Sequence, residues 1–310
     1  MADGKWIQGL RPEMEIREAA EIVLRVRFDV VAEQLPLVMQ QAHEDPEHVH
    51  QLRVATRRAD AALRIFHRCL PRKAYRAGRA RLRAIRRAAG AARDWDVFLL
   101  ALRQRNAQAA EAEHVGLDFL IGYSLGQRAA AEAALAAIEE DEEQPFPEYV
   151  DDLLGELRPP EKRPERMGEL ARDKLATLLT RLETAAGGNL KDYDQLHRVR
   201  IVAKRLRYAV EVLADCLPED FRGRLYPQIE EVQETLGRAN DSHVAAQRLL
   251  GLRYLLTQWP DTWARVLPGL EPLLRFHQRR LPAERRRFLK WWEAWRLANP
   301  AALVAEPAPG

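Results

Sequence analysis

Two stretches of this 310-residue chain carry side chains with the types and spacing to do chemistry on an anion. His50, Arg53, Arg57 and Arg64 fall within about 60° of one another on a helical wheel, while Leu52, Ala55, Ala59, Leu63 and Phe66 occupy the opposite side. His197, Arg200 and Lys204 repeat the stripe, with Arg207 at its margin and Val199, Val202, Leu206, Val210 and Leu213 as the apolar face. A further ridge, Arg72, Arg76, Arg79, Arg83 and Arg86, advances by alternate steps of four and three. Arginine forks donate two parallel hydrogen bonds to a phosphate and stay charged at any working pH. At one-turn spacing, about 5.4 Å, a row of them can follow a chain of phosphates.

The charge is concentrated. From His50 to Arg105 there are 16 Lys or Arg against three acids, Asp60, Asp94 and Asp96, although the whole chain is only +3. Such self-repulsion has little structural use and is relieved by a polyanionic partner. A lone charged stripe usually means a solvated helix face. Three stripes with few acids, two of them in matching copies, favour a binding surface.

The stripes belong to a repeat. A shift of 147 residues aligns His50 with His197, Arg53 with Arg200, Arg57 with Lys204 and Arg58 with Arg205. It also aligns Cys69-Leu70-Pro71 with Cys216-Leu217-Pro218, Gly90 with Gly237 and Asp94 with Asp241, giving 11 identities over 48 ungapped positions. The ridge is not duplicated: its counterparts include Tyr226, Glu230 and Gln233, so binding should be asymmetric.

Punctuation divides each copy into helices, near 13–43, 47–69, 72–89, 94–112 and on to 140, then 165–185, 192–216, 219–236, 241–258 and 269–298. Pro46, Pro71, Gly90, Gly187-Gly188, Pro218 and Gly237 mark the breaks, and Asp94 and Asp241, just after glycines, are read as helix caps or as residues that orient a nearby Arg. No run alternates with period two. The expected fold is all-α: two tandem four-helix bundles related by internal duplication. The expected domains are 1–140 and 165–298, joined by an acidic, Pro-containing linker at 141–164 and ending in a disordered tail at 299–310.

No leader or apolar span of about 20 residues is found, so a cytoplasmic protein is expected, with Cys69 and Cys216 reduced in the core. The segment Arg285-Arg286-Arg287…Trp291-Trp292…Trp295 is read as packing on the second bundle rather than lying on a membrane.

In the segments H-Q-L-R-V-A-T-R-R (50–58), H-R-V-R-I-V-A-K-R-L-R-Y-A-V-E (197–211), A-G-A-A-R-D-W-D-V (89–97) and L-G-R-A-N-D-S-H-V (236–244), the chain resembles the CHAD family, named for histidines in an α-helical domain. The resemblance implies a duplicated helical bundle whose halves face a central cavity, binding of inorganic polyphosphate and association with polyphosphate granules. Carried over by position, its phosphate-contacting candidates are His50, Arg53, Arg57, Arg58, His197, Arg200, Lys204, Arg205 and Arg207. Ala59 and Asp60 stand where the family's first motif usually continues Leu-Arg. The family is often fused to a CYTH triphosphatase, and Glu13-Met14-Glu15 mimics part of that domain's signature. The 49 residues before His50 are too few for its β-barrel, which predicts a free-standing binder.

The reading is therefore a non-enzymatic protein for long-chain polyphosphate that needs no cofactor or metal, as a granule scaffold, a storage regulator or an adaptor for polyphosphate-metabolising enzymes. The alternative is RNA or single-stranded DNA on the same faces, set against the absence of aromatics within the Arg stripes. A metal-dependent phosphohydrolase using His50, Asp94, Asp96, His197, Asp241 and His243 is the less favoured reading, because no metal-binding motif or nucleophile motif occurs.

Overall fold

A computed structural model describes residues 5–41, 45–140, 144–160, 166–218 and 221–305. The chain is all helical. Among the described residues there is no strand, only an isolated bridge between Glu15 and Arg166. The first copy contributes α1 (Ile16–Gln41), α2 (Pro46–Ile65), α3 (Arg72–Asn106) and α4 (Glu111–Glu140); a short α5 (Phe146–Gly155) follows. The second contributes α6 (Met167–Ala186), α7 (Tyr193–Leu213), α8 (Tyr226–Leu256) and α9 (Pro260–Leu297), ending in α10 (Pro300–Ala305). Successive helices pack on each other in both copies, and α2 on α7 and α4 on α9 tie the copies together.

The prolines punctuate as expected, but the glycines do not. Both α3 and α8 run straight through Gly90 and Gly237. A mid-helix glycine costs only about 1 kcal/mol relative to alanine, which packing along a long helix readily offsets. Asp94 and Asp241 consequently lie in helix interiors, so their expected role as caps is corrected. The true caps are Asp45 and Asp192, themselves 147 residues apart, whose carboxylates accept from the amides of Glu47 and Asp194. They start α2 and α7 in the same register.

Because α3 and α8 are long, the apolar core does not divide at the repeat boundary. One cluster takes Leu82, Ile85 and Ala89 from α3 and Ile229, Val232 and Leu236 from α8, together with α1, α2, α6 and α7. A second takes Phe98 and Leu102 from α3 and Leu249 and Leu252 from α8, with Leu117 of α4 and Leu270 of α9. There α4 and α9 cross at Gly116 and Gly269, where a Cβ on either would lie within 3 Å of the other helix's backbone.

Several smaller expectations meet the structure. The stretch read as a linker holds α5, whose Phe146, Val150, Leu153 and Leu154 are buried, since its apolar residues are spaced to cover one helix face. Residues 141–143 and 161–165 lie outside the described residues. In the stretch read as a disordered tail, α10 buries Val304 and packs on α6, while 306–310 lie outside the described residues. Trp291 and Trp295 are buried, the former donating its indole N–H to the Gln228 carbonyl, and Cys69 and Cys216 are unbridged and buried. Among the described residues no helix is long and apolar enough to cross a membrane.

Candidate functional site: a cationic cavity between the repeats

The apolar faces of α2 and α7 are buried as the wheel requires, which leaves their basic stripes on the side where the two helices meet. There a cavity of about 680 Å³ opens. From the first copy it receives Arg57 and Arg64 of α2 and Arg86 of α3. Arg200, Lys204 and Arg205 of α7 enter from the second copy, joined by Lys174 and Arg181 of α6. Against these eight basic side chains the lining holds one carboxylate, Asp60.

The electrostatic consequence is visible in the side chains. Burial, then the charges of Arg57, Arg200 and Arg53, push the Lys204 ammonium down to about 6. Burial and Arg57 lower Arg53 to about 10 and lower Arg200 as well. Arg205 is lowered by burial and then by Arg64 and Arg181, and Lys174 by burial and then by Arg68 and Arg181. Each group would be easier to charge if an anion entered.

Acids hold part of the lining in place. Asp60 accepts from Arg79 at 2.8 Å and pairs with Arg64 at 2.9 Å, with Arg86 at 3.8 Å. Burial alone would raise its carboxyl, but the Arg79 and Arg64 bonds outweigh this and hold it below the usual range. Asp94 stands 3.4 Å from the Arg53 guanidinium, and Asp241 is close enough to Arg200 and Lys204 to favour their charged forms. Asp94 is thus placed to orient Arg53, whereas Asp241 acts on Arg200 and Lys204 through its charge. Gly90 has a use after all: a Cβ there would lie 2.7 Å from Arg53 Nη1, so the missing side chain makes room for that guanidinium.

The remaining candidates separate into groups. His50 and His197 sit toward the N-terminal ends of the stripes and do not line the cavity. His50 is lowered by burial and then Arg93, and His197 by burial and then Arg200. Of the α3 ridge only Arg86 reaches the cavity; Arg79 is tied to Asp60, and Arg72, Arg76 and Arg83 point to solvent. Arg58 and Arg207, expected to contact phosphate, instead clamp the fully buried Glu211 at 2.7 and 3.0 Å. Their shared partner lies on α7 about four turns from the motif histidine, and its pairing with Arg58 is invisible until the helices are brought together.

Sequence reasoning missed Lys174 and Arg181. They lie seven residues apart, hence on one face of α6, and that spacing was the available signal. It also underestimated the aromatics, because Tyr75 and Tyr208 line the cavity although neither belongs to a stripe. Among the described residues no three His, Cys, Asp or Glu side chains group as metal ligands, so His50, Asp94, Asp96, His197, Asp241 and His243 do not converge.

The CHAD domain family matches residues 22–250, spanning both stripes and both turn motifs. The chain belongs to the CHAD family. Solved structures that share its fold include the following two. The crystal structure of the CHAD domain from the plant Ricinus communis is 24% identical, with a TM-score of 0.71, covering 91% of this chain and 95% of that one. PptA from Streptomyces chartreusis is 18% identical, with a TM-score of 0.68, covering 90% of this chain and all of that one. No curated protein sequence matches this CHAD chain.

Proposed function

We propose that this protein binds inorganic polyphosphate in the cavity between its repeats, as a binder rather than an enzyme. The observation that carries the reading is the convergence of eight Lys and Arg from four helices on one space with a single carboxylate. A cavity of about 680 Å³ has the size of a small-molecule pocket and takes a segment of a thin chain, not a folded polymer. A polyphosphate segment supplies one charge per unit with no bases to accommodate. Asp60, the carboxylate in the lining, is occupied by three arginines and is not free to act as a base.

Nucleic acid is the competing ligand, favoured by Tyr208 in the lining. Tyr75 is less suited to stacking, since Arg79 lies 5.4 Å from its ring centroid and His67 packs at 6.0 Å. The deciding experiment is a competition titration of long-chain polyphosphate against RNA and single-stranded DNA at physiological salt. Polyphosphate displacing both, with binding lost in Arg200→Ala/Lys204→Ala, is the expected result. Preferential binding of RNA overturns the reading. Granule association follows from such binding, and co-localisation of a fluorescent fusion with polyphosphate granules checks it.

A further inference from the structure

A second arginine-rich helix, α9, takes no part in the cavity. No residue of α9 lines it, and α9 lies beyond residue 250, where the family match ends. Arg275, Arg279, Arg286 and Lys290 advance by four, seven and four residues, so they share an arc of about 60° over a length of about 22 Å. All four are exposed, and none has an ion pair or hydrogen bond among the described residues. Their neighbours behave differently: Arg280 and Arg287 turn to the buried Glu284, at 3.5 and 2.7 Å. The other acids near this face stand at its ends. Glu271 is paired with Arg253 at 3.3 Å, and Glu293 lies beyond Lys290. Beside the stripe an open cleft of about 710 Å³ is lined by Arg275, Phe276, Arg279, Arg280 and Arg287, with Glu284 as its carboxylate.

A helix needs charge on its outer face for solubility, but both signs serve that purpose, and i,i+4 pairing stabilises it. Four unpaired cations in line serve solubility no better than mixed charge would, and they repel one another instead of pairing. We infer that the outer face of α9 is a second site for linear polyphosphate, separate from the cavity, so that one molecule bridges two chains or two stretches of one chain. The inference rests on the cavity being the first site. Bivalency converts modest attachments into cross-linking, because the second engagement occurs at high effective concentration. The stripe favours polyphosphate over nucleic acid because it contains no aromatic. The aromatic nearby, Phe276, is exposed but stands off the line, with Arg280 5.6 Å from its ring centroid.

The test compares wild type with Arg275→Ala/Arg279→Ala/Arg286→Ala/Lys290→Ala, using long-chain polyphosphate. Counterion release gives a slope of about 0.7 per phosphate contact on a flexible strand. The variant should therefore lose about 3 units of log-affinity-versus-log-salt slope and lose the light scattering that cross-linked chains produce. Its circular dichroism and thermal unfolding should match wild type, and Arg→Lys replacements at the three arginines should keep both properties. Unchanged slope and scattering overturn the inference, as does a variant that loses RNA affinity more than polyphosphate affinity. Failure of the cavity reading looks different: Arg200→Ala/Lys204→Ala would then leave binding intact while the α9 variant weakens it.

Discussion

The contact between α2 and α7 has two sides that the repeat makes comparable. On one side Arg58 reaches from α2 to Glu211 on α7, with Arg207 and the Tyr226 hydroxyl on the same carboxylate and Arg27 buried beside them. The offset of 147 maps Arg58 to Arg205, Glu211 to Arg64, Tyr226 to Arg79 and Arg27 to Lys174. On the other side, therefore, Arg205 faces an arginine where its counterpart faces a glutamate, and there the cavity lies. Within each helix an acid and a base still pair four residues apart, in opposite order: Asp60 with Arg64 at 2.9 Å, and Arg207 with Glu211 at 3.0 Å. One reversed pair separates a closed ion-pair clamp from an open cationic chamber. Duplication supplied two equivalent surfaces, and the order of one acid–base pair distinguishes the side that holds the molecule together from the side that is open to a ligand.

The largest effect should come from breaking the closed side. Glu211→Ala leaves Arg27, Arg58 and Arg207 without their buried counter-charge, and loss of one partner of a buried pair costs about 3–5 kcal/mol. Denaturant unfolding should show that loss; a change under about 1 kcal/mol, the worth of a surface pair, would mean the clamp is not structural. Next comes Arg64→Glu, which writes the closed side's residue into the open one and offers Arg205 a partner. Binding of polyphosphate should fall about 10- to 100-fold, the worth of a charge-assisted hydrogen bond of about 1.5–3 kcal/mol, with stability retained. Equal affinity in a titration would sever the comparison from function.

A third effect is the pH dependence of the open side. With Lys204 lowered to about 6, the free cavity holds it largely neutral at neutral pH, and a bound anion favours its charged form. Affinity should therefore increase as pH falls from 8 toward 6, with proton uptake on binding seen as a buffer-dependent enthalpy. His50 and His197, also lowered, add in the same direction. Lys204→Arg should flatten the profile between 8 and 7. Stability of the free protein runs the other way: the folded state binds fewer protons at Lys204 above about 6, so this group's contribution falls as pH is lowered toward 6.

The smallest expected change compares the two glycines. Gly237→Ala meets nothing within 4 Å and should stabilise α8 by up to about 1 kcal/mol. Gly90→Ala gains similar helix propensity but displaces the Arg53 guanidinium, so it should weaken binding a few-fold. Equal binding in both variants would show that Arg53 does not need its place over Gly90.

Much of this was legible in one dimension. The repeat offset, the proline breaks and the amphipathic wheel predicted an all-helical duplicated fold with Arg57, Arg64, Arg200 and Lys204 on basic stripes, and the family resemblance added Arg205 and the cavity the two halves share. What stayed hidden depends on which helices face each other. Arg58 lies beside Arg57 in the chain, yet its fate depends on Glu211, 153 residues away. Lys174 and Arg181 become site residues only because α6 packs beside α7. The glycines misled because a turn and a close approach leave the same mark in a sequence, and Arg53 over Gly90 is the second kind.

The helices that pass through those glycines serve two cores each, and this governs how the chain can be divided. A peptide ending at the repeat boundary would retain α3 but lack α8 and α9, leaving Phe98 and Leu102 without their cover. The complementary peptide would strand Leu249 and Leu252 in the same way. Cleavage near residue 160 thus yields two fragments that are each incomplete and that fold by finding one another. Co-expressed halves should assemble into a one-to-one complex, with the ligand chamber forming only upon reunion.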